Sequence, residues 1–448
     1  MAPLKVIVVG GGLAGALLSN GLVNNGLQVS VYERDPENAK REGYQIRLGE
    51  YAIKGFDACL TTEHAALIHQ KFGQSSSLSS TAPILCNSRF RIVLDLSLLP
   101  SYQRSYAINR VILRDLLMAP ISKAGLATYD KNFDRYEITR DRQGKEKVKV
   151  LFTDGSSDTC DVLVGADGSG SKINHQLGAR NILDLTSHWA FVSKGILDQE
   201  RLKLLPHVLL KGPVIVFSKN MSFFFALYLP PNEGQTKQAK TLEFSEQLAS
   251  FYWGLNVPKE HAGYTDPSQW GDDHLKMCLH SIKEWAPEFH TMIAIGKGDA
   301  DAGINLLNLR ASNKLSKSWR KTAQAQAGPN SPAGHPRVWL IGDAVHAMQP
   351  NRGMGGNQAM YDTVEMLPQL VKLNEIAKKG TPPSTEQVGQ ALGVYEDQMI
   401  DRAFHWVKKS GGSSVPHLNL DGWLGSVLWT FGKLIMPVVA LVYKLFKW

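Results

Sequence analysis

Cysteine is scarce in this chain: Cys59, Cys86, Cys160 and Cys278 stand far apart, with no paired spacing. That spacing argues against a disulfide framework or a cysteine-based zinc site and suits a reducing interior. The thirteen histidines never fall into a ligand pattern such as His-Glu-x-x-His, so no metal is expected. Lysine and arginine exceed the acids by 49 to 41, a formal charge of +8, which suits an anionic cofactor or membrane surface. A dense basic block is missing, and nucleic acid is not an expected partner. The start enters a glycine-rich turn by Gly10, leaving no room for an apolar leader; a cytosolic location is the expectation. There is no internal repeat.

What is present is an ordinary globular composition, 43% hydrophobic and 20% charged over 448 residues, enough for two or three domains. Lys5 to Val9 is an apolar, β-branched run that predicts a buried parallel strand. Gly10-Gly11-Gly12-Leu13-Ala14-Gly15 follows, then a helical pattern to about Asn25 stopped by Gly26, then a second strand, Gln28 to Tyr32, ending at Glu33. Strand, glycines, helix, strand and acid in register form a dinucleotide fingerprint. Gly10 permits the tight turn, Gly12 admits a pyrophosphate, and Gly15 lets helix and strand pack. Glu33 is placed to accept hydrogen bonds from an adenosine ribose. Arg34 and the segment Arg41 to Arg47 add cations nearby, and Arg47 could reach the cofactor or the substrate.

Further along, Glu63 to Phe72 reads as helical, Gly73 to Ser80 as a serine-rich loop and Arg89 to Leu96 as a strand of another sheet. Asn109-Arg110 opens an amphipathic helix, where Arg110 is either a cofactor contact or a surface charge. Tyr136 to Ile138 and Lys147 to Phe152 alternate as a β-ribbon, and Asp161-Val-Leu-Val-Gly-Ala-Asp167-Gly168 is a strand ending in a second glycine-acid motif. From Leu183 the composition turns aromatic. Trp189 to Ile196, His207 to Phe217 and Ser222 to Leu229 predict long strands, with Phe223, Phe224 and Phe225 putting rings on both faces. Leu242 to Ile295, with Trp253, Trp270 and Trp285, reads as helical pieces, Leu306 to Leu309 as a return strand, and Lys314 to Pro336 as an exposed loop. A third motif spans Arg337 to Asp362: a short apolar strand, Gly342-Asp343, a loop with Pro350, Gly353, Gly355 and Gly356, and a helix start at Asn357. That order aims backbone amides and a positive helix end at a ligand.

The three motifs in this order resemble the class A FAD-dependent monooxygenases, the single-component, aromatic hydroxylase-like enzymes. The similarity spans roughly 1–185 and 335–410. It implies an α/β fold with a discontinuous Rossmann-like FAD-binding domain (1–75, 100–182 and 335–410), an interleaved β-sheet substrate domain (76–99 and 183–334) and C-terminal helices over 411–448. It also implies that Gly10 to Gly15, Ala14 included, hold the ADP pyrophosphate, that Asp167 and Gly168 lie near it, and that Asp343 binds a ribityl hydroxyl. Gly353 to Asn357 would underlie the flavin ring, Arg110 matches an arginine that opens its helix, and Arg47 falls near a mobile-flavin loop. Val345, Asn174 and Thr363 depart from the usual Ala, Arg and Ala. His346 is read as structural.

The implied activity uses FAD, NADPH or NADH as transient electron donor, and O2, and inserts one oxygen atom through a flavin C4a-hydroperoxide. The Phe-, Trp- and Leu-rich middle suggests a sizeable apolar or aromatic substrate, as in specialised-metabolite tailoring, although core packing explains the same residues. Arg47, Lys194 and Tyr228 are the catalytic candidates. An isoprenoid epoxidase or prenyl-chain reductase of the same fold, and a membrane-docking flavoprotein without turnover, stay open. A flavin halogenase is disfavoured because Trp253-Gly-Leu-Asn-Val-Pro258 lacks a second tryptophan. In the tail, Gly422, Ser426, Thr430, Lys433, Pro437, Ala440, Lys444 and Lys447 share one helical face, with Trp, Leu, Val, Ile, Phe and Met elsewhere. Its lysines argue against a simple span; it is either a monotopic anchor at a membrane or a helix docked on the protein.

Overall fold

The computed structural model describes residues 3–39, 45–73, 82–98, 105–232, 244–260, 273–299, 302–328, 331–414 and 418–435. Arg41 to Tyr44, the serine-rich loop, Trp270 and the tail beyond Ile435 lie outside them.

Continuous apolar runs become a five-stranded parallel sheet in the order Val338–Leu340, Val162–Gly165, Lys5–Val9, Gln28–Tyr32, Ala127–Thr128. Val6, Ile7 and Val8 are fully buried, as a strand covered on both faces requires. The fingerprint helix Leu13–Asn24 packs on the helices Arg110–Lys123 and Gly355–Lys378. A buried side chain ties one of these contacts: Asn20 Nδ2 donates to Leu117 O at 2.7 Å. Helix Thr385–Lys409, started by a Ser384–Gln387 capping box, covers the outer side of Gly355–Lys378.

A second, seven-stranded sheet runs in the order Asn305–Leu307, His188–Ile196, Ser250–Pro258, Met221–Tyr228, Val214–Ser218, Ile84–Cys86, Ile92–Asp95. Helices His274–Ser281 and Pro287–Ala294 cover one face, where Phe191, Phe223, Phe225, Phe251 and Trp253 are buried. Phe224 points to the other face, so the three consecutive phenylalanines divide as their alternation predicts.

Three expectations fail. Ser250–Pro258 is a central strand rather than a helix: Phe251, Trp253, Leu255 and Val257 are buried at period two and hydrogen-bonded to neighbours on both sides. The stretch from His207 begins as a 3-10 turn, His207–Leu210, because Gly212-Pro213 interrupt it before the strand Val214–Ser218. The loop assigned to 314–336 contains the helix Trp319–Ala327, held by the burial of Trp319 and Ala323.

Candidate active site

The first motif closes as its glycines dictate. Gly10 takes a φ of +112°, and a Cβ there would lie 2.3 Å from Ala166 O; a Cβ on Gly15 would lie 2.1 Å from Gly10 O. Nothing stands within 4 Å of where a Cβ on Gly12 would be. The turn is therefore crowded behind and open in front, where the first turn of Leu13–Asn24 has no side-chain cap and no acidic residue of its own. An anion suits that place. Ala14 lies further back, packed toward Gly342.

Glu33 is buried and shapes this turn: its Oε2 accepts from the Gly11 amide at 2.7 Å and its Oε1 from the Asp35 amide at 3.0 Å. Arg114, which the sequence reading passed over, braces the same loop. Its Nε donates to Gly11 O at 3.0 Å and its Nη2 lies 3.8 Å from Glu33, yet that buried Nη2 has no hydrogen-bond acceptor. No local spacing signals it, because its partner Gly11 lies 103 residues away. Arg110 opens its helix as expected, after an Asn109 cap, and is exposed. Arg34 is exposed and turns to Asp35. Gln45 is a second residue missed: it is 5% exposed, it sits across from Asn109, and both of its amide atoms lack partners. Such a group normally has a partner when the site is filled.

The second motif meets the first through Ala166. Asp167 Oδ1 accepts from the Ser171 hydroxyl at 2.6 Å, and burial pushes the carboxyl above its ordinary value against the pull of that bond. The third motif is locked from behind. Asp362, wholly buried, accepts from the Gly342 amide at 2.8 Å and from Arg402 Nη2 at 2.7 Å, and bonds His346 Nε2 at 2.7 Å. Burial opposes its charge, but His346 and Arg402 outweigh it and hold the carboxyl below its usual value. His346 is thus a structural histidine. Arg402 also grips Glu365 and Gln358. The network fixes the left-handed turn at Gly342 that presents Asp343. Asn174, in place of the usual arginine, donates to Ala344 O at 2.8 Å and to Asn181 Oδ1 at 2.9 Å. Asn181 in turn holds Val345 O, so a pair of asparagines secures this helix.

The side chain of Asn357 is engaged within the protein. Its Oδ1 accepts from Gly49 N at 2.7 Å, and its Nδ2 donates to Arg47 O at 2.8 Å and Gly353 O at 2.9 Å. It clasps the Arg47 strand to the helix start. Gly355 and Gly356 stay uncrowded and Gly353 is left-handed (φ +62°), while Pro350 stands exposed at the loop's head. Gly168 is also left-handed, with open space before it.

Arg47, Gly73 and Ala107 border a small open pocket together with Lys211 and the leucines 209 and 227. Arg47 Nε donates to Ser105 Oγ at 3.1 Å. Lys194 lies on the face of the large sheet opposite its helices, directly across from Tyr252, whose ring meets Phe224 edge-on at 5.5 Å. Gly254 leaves room for the Tyr252 ring to lie along the sheet. Tyr228, on the same face, is fully buried; its hydroxyl donates to Lys71 O at 2.7 Å, its ring packs against Gly73, and burial drives its pKa upward.

A long nucleotide cofactor fits these features: an open amide cradle at Gly12, orphaned polar groups on Arg114 and Gln45, and a third glycine loop beyond them. The comparisons agree. The dual O-methyltransferase/FAD-dependent monooxygenase elcB of Phaeosphaeria nodorum is 25% identical over 435 residues, covering 91% of this chain and 45% of that protein. The chloroplastic zeaxanthin epoxidase of Oryza sativa subsp. japonica is 25% identical over 402 residues, covering 89% and 53%. This chain therefore spans about half the length of those relatives. The crystal structure of Klebsiella pneumoniae HpxO complexed with FAD and uric acid shares the fold, with a TM-score of 0.63 at 20% identity over 98% of this chain and 92% of that one. The profile of the FAD binding domain matches residues 3–197 and 306–380. By that match and by its three motifs, the chain belongs to the FAD-binding family of the class A FAD-dependent monooxygenases.

Proposed function

We propose that the chain is an NADPH- or NADH-consuming monooxygenase that places one oxygen atom on a sizeable apolar or aromatic compound. The observation that carries this reading is the face of the large sheet opposite its helices. There half-buried Phe224, Tyr252 and Lys194 stand beside buried Val192 and Ala226, and the Tyr228 hydroxyl bonds Lys71 of the nucleotide-binding half. FAD, when bound, supplies redox chemistry and activates O2.

The chain's own residues would do the rest. The Gly12 turn and the helix behind it bind the pyrophosphate, with Arg114 adding charge. Gln45 supplies a donor and an acceptor between the Arg110 helix and the third motif. Asp343, fixed through Gly342 and Asp362, takes a ribityl hydroxyl. The amides starting Gly355–Lys378 would present positive charge to the flavin and so favour negative charge on it. Lys194 is placed to hold a phenolate or enolate oxygen of the substrate, which raises electron density on the carbon to be oxygenated. Arg47, on the pocket wall, orients the substrate or the ring edge.

A second reading, epoxidation of an isoprenoid olefin, draws on the likeness to the rice enzyme. One experiment addresses both. The flavin-loaded chain is given NADPH, isotopically labelled O2 and a panel of phenols, polyketide-like aromatics and isoprenoids. The expected result is faster NADPH oxidation with an aromatic substrate and one labelled oxygen in the product. An epoxide from the isoprenoids selects the second reading. Flavin that neither takes electrons from nicotinamide nor responds to any substrate overturns both.

A further inference from the structure

The described part of the tail leaves most of its large apolar side chains exposed. Helix Trp423–Thr430 and the turn Phe431–Ile435 lie along the edge strand Ile92–Asp95 of the large sheet. Gly432 makes the closest approach: a Cβ there would stand 3.1 Å from Val93 O and 3.2 Å from the Leu94 side chain, while Gly425 packs on Leu420 O at the helix's own lead-in. On the opposite side Trp423 is 78% exposed, Leu434 64% and Val427 54%, with Trp429 and Ile435 also in the open. A helix stabilised by docking buries its large apolar side chains and shows its small or polar ones. Here Leu424 and Leu428 are half-buried, but the larger part of the apolar surface stays outside beside Ser426, Thr430 and Lys433.

The attachment is nonetheless built. Asp421 accepts from the Ser88 amide at 2.9 Å and the Ser88 hydroxyl at 2.8 Å, and from the Ser218 hydroxyl. The Leu420 amide donates to Phe217 O at 2.8 Å, and Leu420 is buried. The two readings of the tail are therefore compatible: one side docks, and the other side is left facing outward.

The chemistry of that outward side selects its partner. From Trp423 to Trp448 there is no Asp or Glu, and Lys433, Lys444 and Lys447 supply three of the positive charges behind the chain's net +8. Lys433 Nζ lies over the Trp429 ring at 4.7 Å, joining an amphipathic aromatic to a cation. Exposed tryptophans, aliphatic neighbours and lysines without acids match the boundary between acyl chains and anionic headgroups. Among the described residues no helix is long and apolar enough to cross a membrane. We propose that residues 423–435 dock the protein in the plane of an anionic lipid surface, with the edge strand Ile92–Asp95 nearest the lipid.

The test uses the full flavin-loaded chain and floats it with vesicles of phosphatidylcholine alone, or with about 30% phosphatidylserine. The wild-type protein is expected to float with the anionic vesicles. The double variant Trp423→Glu, Leu434→Glu should keep its flavin and melting temperature but float at least about tenfold less. Equal flotation of variant and wild type overturns the proposal, as does equal binding to uncharged vesicles. A wild-type dimer in light scattering that the variant abolishes, without vesicle binding, overturns it in favour of a second copy of the chain.

Discussion

The parallel sheet that carries the glycine motifs and the seven-stranded sheet inserted among them are both well packed, but they constrain sequence differently. Around Gly10, Gly15 and Gly342 the backbones approach so closely that one added carbon collides with a carbonyl or a neighbouring helix. Residue identity there is dictated atom by atom. In the large sheet the rule concerns faces: Phe223 and Trp253 are interior because of their parity along the strand, and Phe224 is on the opposite face for the same reason. The first kind of constraint leaves a spelled motif; the second leaves only an alternation that many sequences satisfy.

This contrast can be pressed experimentally. The largest effect is expected from Gly15→Ala, whose new carbon meets Gly10 O. It should cost more than about 4 kcal/mol and yield protein without flavin colour, read from the absorbance of the purified chain. Next comes the pair Phe223→Ala and Phe224→Ala. The first empties a site among Trp253, Trp285 and Phe289 and should cost about 3–5 kcal/mol in denaturant unfolding. The second should cost under about 1 kcal/mol while raising KM for an aromatic substrate. Equal losses of stability in the two would erase the distinction between the faces.

Asp362→Ala leaves His346 and Arg402 buried without their shared carboxylate and should cost about 3 kcal/mol, together with weaker flavin retention in dialysis. Asp167 gives a smaller effect of known sign. Its folded pKa is raised, so its contribution to folding is present below about pH 4 and lost as pH rises through the folded value. Flavin-free Asp167→Asn should therefore exceed the wild type in Tm most at neutral pH and least near pH 4. The smallest change in stability belongs to Lys194→Met, within about 0.5 kcal/mol, although kcat/KM for a phenolic substrate should fall roughly tenfold or more, most steeply at low pH where the free phenol is neutral.

Much of the nucleotide-binding half was legible in the sequence because glycines with forced geometry, a buried acid and apolar runs are local signals. The strand Lys5–Val9, the turn at Gly10 and the helix after Asn109 stand where the sequence puts them. What joins these pieces could not be read the same way. Arg402 reaches Asp362 across 40 residues, Arg114 closes on Gly11 across 103, and Asn357 clasps Gly49 across 308. No spacing rule spans such distances, since the contacts exist only once helices and strands have been stacked. The strand Ser250–Pro258 was misjudged for a related reason, because its partners His188–Ile196 and Met221–Tyr228, not its own propensity, hold it extended. The same holds at the tail. Its composition showed an amphipathic helix, but which side meets the protein followed from the close approach of Gly432 to Val93, a fit that depends on the sheet edge being there.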